Sequence, residues 1–202
     1  MSGDNTVLLG FRDERVAIGD HIAYFWETPD QFRECVRFLE LGLDAGDFCV
    51  IFGHDDANQR VCDILTADGF NYRRFESEGQ LAVLHGNADA GKMLAIIGTV
   101  FAAAVKRGVR LIRLLGNIGW GRAGWPNETD ILEFEARVTG AAKTFPCVVV
   151  CMYDVRGLPG HIMVHGAYET HPLTFCRNLV RQNTHYVEVE EYLKRLRSGD
   201  DH

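Results

Sequence analysis

Apolar and polar positions along the chain switch between a strand-like and a helix-like period. "HIAYFW" (21–26), behind the Gly19-Asp20 pair, is a short aromatic-rich run of strand character. Thr28-Pro29-Asp30 then reads as a helix start, with Thr28 as N-cap and Pro29 in the first turn. Phe32, Cys35, Val36, Leu39 and Leu43 recur at helical spacing down to Gly42 and Gly46. "FCVIFG" (48–53) is a continuous apolar run, the kind a parallel sheet buries on both faces. The next helix keeps Val61, Ile64 and Leu65 on one side and stops at Gly69.

The alternation continues. A short strand is predicted around Tyr72 to Phe75, and a stronger one at "QLAVLH" (80–85). A helix over 92–106 precedes the strand "VRLIRLLGN" (109–117), and Pro126-Asn127-Glu128 opens a helix carrying Ile131, Leu132, Phe134, Glu135 and Val138. "CVVVCMY" (147–153) is the most strand-like segment, residues 162–180 read as a strand and helix remainder, and "EVEEYLKRL" (188–196) as a final helix. Strands alternating with helices predict a three-layer α/β fold, a mostly parallel central sheet flanked by helices. Residues 1–15 and 198–202 read as loose ends, leaving 16–197 as a single domain.

In open α/β sheets ligands bind beyond the carboxyl ends of the strands. That rule selects Tyr24, Phe25 and Trp26 from the first strand, Gly53 and His54 from the second, and His85 from the third. It adds Asn117, Trp120 and Trp125 after the fourth, and Tyr153 from the fifth. Aromatic walls with few cations suit a small apolar or weakly polar molecule. Each aromatic has an equally good reading as a residue that only closes the core, and Trp120 and Trp125 as packing beneath their own glycine-rich loop.

The strand "CVIFG" followed by a polar loop and a helix has the layout of a phosphate-binding loop. The lysine and hydroxyl residue that such a loop needs are missing, and His54, Asp55 and Asp56 stand there instead. Magnesium triphosphate is therefore expected to bind weakly or not at all. "LIRLLGN" ends in Asn117 where an ATPase strand would end in an acid. On the following helix, Glu133 and Glu135 read as one partner for an arginine and one solvent-facing residue.

Nucleophilic and metal chemistry are not nominated. There is no GxSxG elbow, and Cys49 and Cys151 sit in mid-strand, where a thiol is inert. His161 and His165 have an i, i+4 spacing, but the glycines flanking them and the lack of a third ligand weigh against a metal. No cofactor, metal or catalytic residue is expected.

Composition narrows the partners. Over 202 residues the net charge is −7, which disfavours nucleic acid and anionic membranes. The longest greasy stretch, 93–105, is too short to span a bilayer, and no signal peptide is visible, so a cytoplasmic location is expected. The six cysteines form no CxxC pair and lie mostly in apolar segments, which favours buried thiols.

Taken in order, "GDHIAYFW", "FLELGLDAGDFCVIFG", "GVRLIRLLGNIGW", "ILEFEARV", "CVVVCMYD", the Thr170-His171-Pro172 element and "RQNTHYVEVEEYL" resemble the MEDS domain. This is a sensory domain named from methanogen and methylotroph regulators, and the resemblance runs from about Gly19 to about Leu193. It implies a relative of RecA-like ATPases without a functional phosphate loop, serving as a non-enzymatic sensor of a small hydrocarbon-type molecule. It carries over His21, Glu135, Tyr153 and His171 as the family's recurrent histidine, glutamate, tyrosine and His-Pro positions. Gly116-Asn117 departs from the Gly-Glu of many members. The resemblance further implies output through a separate signalling protein, kinase-like or a transcription regulator, and a homodimer or partner complex. A degenerate nucleotide-binding protein with weak or no ATPase activity is the alternative, and an interaction module with a vestigial pocket the third reading.

Overall fold

The chain opens with a hairpin, β1 (Thr6–Leu8) paired antiparallel with β2 (Arg15–Ala17); the computed structural model describes residues 6–199. Part of the stretch read as a loose N-terminus is thus ordered. The physical reason is anchoring: Val7, Leu9 and Phe11 are buried, and the charged turn between the strands masks that pattern. At the other end Ser198 closes a helix rather than opening a tail. The rest of both expected loose ends, 1–5 and 200–202, lies outside the described residues.

β3 (His21–Trp26) leads into α1 (Pro29–Ala45). Thr28 and Gln31 form a reciprocal capping box, Pro29 occupies the first turn, and Gly46 ends the helix at φ 79. Then follow β4 (Phe48–Gly53), α2 (Asp55–Ala67), α3 (Tyr72–Ser77) and β5 (Leu81–His85). The strand predicted at 72–75 is the short helix α3. Asn71 caps it by accepting from the Arg74 N–H, and no side chain in it is buried, so no sheet face recruits it. After α4 (Ala90–Lys106) come β6 (Ile112–Asn117), α5 (Glu128–Ala142) and β7 (Cys147–Asp154). Residues 162–180 resolve into a π-helical segment (Ile162–Tyr168), β8 (Leu173–Cys176) and the start of β9 (Leu179–Gln182), before α6 (Val189–Ser198).

Seven strands form one sheet in the order β5-β4-β6-β7-β3-β8-β9, parallel throughout except for the β8–β9 pair. This is the three-layer α/β arrangement that the alternating pattern predicts. The pleat sends alternate side chains to opposite faces. Tyr24, Ile51, Leu115, Val150 and Met152 join α1 and α2 on one face. Ala23, Phe52, Leu114, Cys151 and Tyr153 join α4 and α5 on the other. Each fully buried Leu, Ile or Phe contributes roughly 1.5–3 kcal/mol relative to exposure.

A buried cation pins the first face. Arg113 of β6 donates to Asp47 Oδ2 at 2.7 Å and to the Leu8 carbonyl at 2.8 Å, tying the hairpin to the end of α1. Gly42 makes room for it: a Cβ there would lie 2.5 Å from Arg113 Cδ and 2.8 Å from Cys49 Sγ.

A strand-end cleft and a buried polar cluster

The carboxyl ends of β3, β4, β6 and β7 open onto a cleft of about 480 Å³, within the range usual for small-molecule sites. Trp26, His54, Asn117 and Trp120 line it, with Phe32, Met152 and Leu158 adding apolar wall. The indole Nε1 groups of Trp26 and Trp120 are buried and have no acceptor in the protein. Asn117 Nδ2 reaches only the Met152 sulfur, at 3.8 Å, a weak acceptor. Two arginines border the cleft, and both are engaged. Arg122 donates to Asp56 at 2.8 Å, and the Arg60 guanidinium lies 3.9 Å from the centre of the Phe32 ring.

The β4–α2 junction, the strand–loop–helix step singled out in the sequence, carries carboxylates at the start of its helix. The start of a helix attracts anions through its unpaired N–H groups. Here His54 Nδ1 accepts from the Ala57 N–H, and Asp55 and Asp56 occupy the first turn. Burial, reinforced by Arg122, holds the His54 imidazole below its usual value, consistent with a neutral acceptor nitrogen. One N–H of the helix terminus is therefore satisfied by His54, and two carboxylates share its first turn.

Tyr24, His85 and Trp125, selected by the strand-end rule, are not brought into the cleft. Tyr24 is buried under α1, donating to the Gln31 carbonyl and stacking on Phe175 at 4.9 Å. His85 is exposed and contacts Asp55 at 2.8 Å. Trp125 packs beneath its own loop, pressed against Gly86 and Gly119, where any Cβ would collide with the indole.

A second group lies inside the other face. His21 from β3, Cys151 and Tyr153 from β7, Glu135 from α5 and His171 before β8 are all buried. His21 Nδ1 is 2.7 Å from Thr139 Oγ1, whose proton goes to the Thr170 carbonyl at 2.6 Å, so His21 carries its hydrogen on Nδ1. His21 Nε2 then faces Cys151 Sγ at 3.2 Å. His171 Nδ1 donates to the Ala167 carbonyl at 3.0 Å, which leaves its Nε2 without a partner. Tyr153 Oη lies 2.9 Å from both Glu135 Oε1 and the Gly166 carbonyl. One hydroxyl proton serves one acceptor, so a protonated Glu135 donating to Tyr153 satisfies both contacts.

Burial sets the charge states. It pushes Glu135 up to about 7, partly offset by Tyr153 and Cys151. It drives His171 down to about 3 and, with His171 beside it, His21 well below the usual value. The Cys151 thiol and Tyr153 phenol are pushed upward, first by burial and then by Glu135. Because burial keeps both imidazoles uncharged, the two His–Glu135 contacts of 3.8 Å are not ion pairs.

A family model for the methanogen/methylotroph, DcmR sensory domain, MEDS, matches residues 20–172. The chain belongs to the MEDS family. Within it, the transcriptional repressor DcmR of Methylorubrum extorquens is 24% identical over 168 residues, covering 80% of this chain. The chain spans 63% of that relative's length. A KaiC-like protein from the hyperthermophilic archaeon Pyrococcus horikoshii shares the fold, with a TM-score of 0.60 and 13% identity over 85% of this chain and 83% of that one.

His21, Glu135, Tyr153 and His171, the positions carried over from the resemblance, come together in the buried cluster, and none of them lines the cleft. Glu133 pairs with Arg137 as one of the two expected roles, but Glu135 is buried rather than solvent-facing, because it lies on the apolar stripe of α5. Cys151, read as inert in mid-strand, is a member of the cluster. Its one visible signal is the period of two that puts it on the face of Tyr153. Thr139, one helical turn from Glu135, carries the same kind of signal. His161 and His165 do not converge, and contact Glu128 and Glu169 separately. Among the described residues no helix is long and apolar enough to cross a membrane.

Proposed function

We propose that this MEDS domain is a cytoplasmic, non-enzymatic sensor whose strand-end cleft takes a small apolar or weakly polar molecule. The observation that carries the reading is that Trp26 and Trp120 line the cleft while their indole N–H groups, buried within the protein, have no acceptor there. A buried donor without an acceptor costs about 1–3 kcal/mol, so a ligand oxygen or halogen that reached either would gain that interaction. The apolar walls would supply most of the buried area. The carboxylates at the start of α2 argue against a triphosphate, by like-charge repulsion.

Ligand occupancy is passed to a separate signalling protein, a transcription regulator or kinase-like partner, and the domain works as a homodimer or in complex with that partner. The Methylorubrum relative is a transcriptional repressor, which supports a transcriptional output. Native mass spectrometry of the protein taken from its own host tests the ligand. A bound small organic mass that disappears in folded Trp120→Ala is the expected result. A low-micromolar dissociation constant for magnesium ATP in calorimetry would overturn the reading.

A further inference from the structure

We propose that His21, Glu135, Cys151 and His171 form a binding site for a single divalent transition-metal ion of the zinc type, buried beneath α5. The site does not depend on the cleft reading, and either can fail alone.

The geometry carries the proposal. One ligand-type atom from each of His21, Glu135, Cys151 and His171 lies within 4.8 Å of all the others. Four of the separations are 3.2, 3.6, 3.8 and 3.8 Å. Tetrahedral zinc, with bonds of about 2.0 Å to nitrogen or oxygen and 2.3 Å to sulfur, needs ligand separations of about 3.3–3.5 Å. With every separation at 4.8 Å or less, side-chain shifts of up to about an ångström would close the four atoms around an ion.

The hydrogen bonds point the same way. Both imidazoles spend their Nδ1 hydrogen on a protein oxygen, Thr139 Oγ1 for His21 and the Ala167 carbonyl for His171. That leaves both Nε2 lone pairs turned into the cluster, the outer-shell arrangement that fixes metal-binding histidines. Tyr153 engages Glu135 Oε1 and leaves Oε2 beside the other three. A hydrogen-bonded core alone would be expected to satisfy every buried acceptor. It fails at His171 Nε2, which has no partner and whose nearest cluster oxygen is 3.8 Å away.

Charge and ligand chemistry select the ion. A dication with one thiolate and one carboxylate makes a neutral unit, which a dry interior tolerates. Two imidazoles and a thiolate favour zinc, cobalt or ferrous iron over magnesium or calcium, which take oxygen ligands. The ligands lie at positions 21, 135, 151 and 171, so no short spacing motif announces them.

The test uses the full chain, stripped with chelator and titrated with Co²⁺ and then Zn²⁺. The expected result is one equivalent bound, with a thiolate-to-cobalt charge-transfer band and tetrahedral ligand-field bands that Zn²⁺ abolishes. X-ray absorption of the zinc form should show one sulfur among four ligands. Cys151→Ser and His171→Gln, checked for folding by circular dichroism, should each weaken binding by about 10²-fold or more, since even outer-shell changes cost 10–100-fold. His161→Ala with His165→Ala should leave binding intact. Wild-type protein without the charge-transfer band or the sulfur ligand would overturn the proposal even if both ligand variants failed to fold. So would binding lost only in the His161/His165 variant.

Discussion

Glu40 shows how a single side chain ties stability to pH. It faces Asp68 from α1, and burial followed by the Asp68 carboxylate raises it from 4.5 to about 7, with Arg37 and Arg33 pulling the other way. The folded state therefore binds more protons than the unfolded state between those values. The stabilisation is full below about pH 4.5 and is lost as pH rises through 7. Partial exposure keeps it to about 1 kcal/mol or less. Urea unfolding at pH 5 and pH 8 should show wild type losing more stability across that interval than Glu40→Gln, and equal losses would contradict the assignment. At this scale the sequence conveys which residues are chemically unusual but not where they point. Trp26 and Trp120 border the cleft, whereas Trp125 folds back on Gly86 and Gly119, a choice made by loop geometry that no local pattern encodes.

At the scale of elements, α1 and the strand after it were fully legible. Thr28, Pro29 and Gly46 mark the helix ends, and the run from Phe48 to Gly53 can only be a doubly covered strand. The helix α3 was not, because Tyr72 and Phe75 suggest a strand until Asn71 is seen to cap them. The buried cluster was legible only in fragments: Glu135 on an apolar stripe, and Cys151 in step with Tyr153. The contacts that unite the cluster range from 16 residues apart, Cys151 to Glu135, to 130, His21 to Cys151. Packing between α1, β4 and β6 leads to a sharper expectation. Gly42→Ala puts a methyl group onto Arg113 and Cys49, and overpacking of this kind costs about 1–3 kcal/mol. A denaturation midpoint unchanged from wild type would show that the Arg113 side chain yields without cost.

The molecule as a whole places two unlike polar regions on opposite sides of one strand. β7 contributes Met152 and Asp154 to the cleft lining and Cys151 and Tyr153 to the buried cluster. The rings meet again at Gly166, where a Cβ would lie 3.0 Å from Trp120, and whose carbonyl faces Tyr153. Self-association belongs to this scale too: light scattering at tens of micromolar should show a dimer, and a strict monomer would leave only the partner complex. The strand-end cleft is proposed to take a small, weakly polar molecule in place of a nucleotide. The three tryptophans make it measurable, since each indole N–H gives its own nitrogen–proton correlation signal. Titration with a panel of short alcohols, halogenated alkanes and simple aromatics should move the Trp26 and Trp120 signals and leave Trp125 in place, while magnesium ATP moves none. Shifts produced by magnesium ATP alone, or confined to Trp125, would rule out a small-molecule site in this cleft.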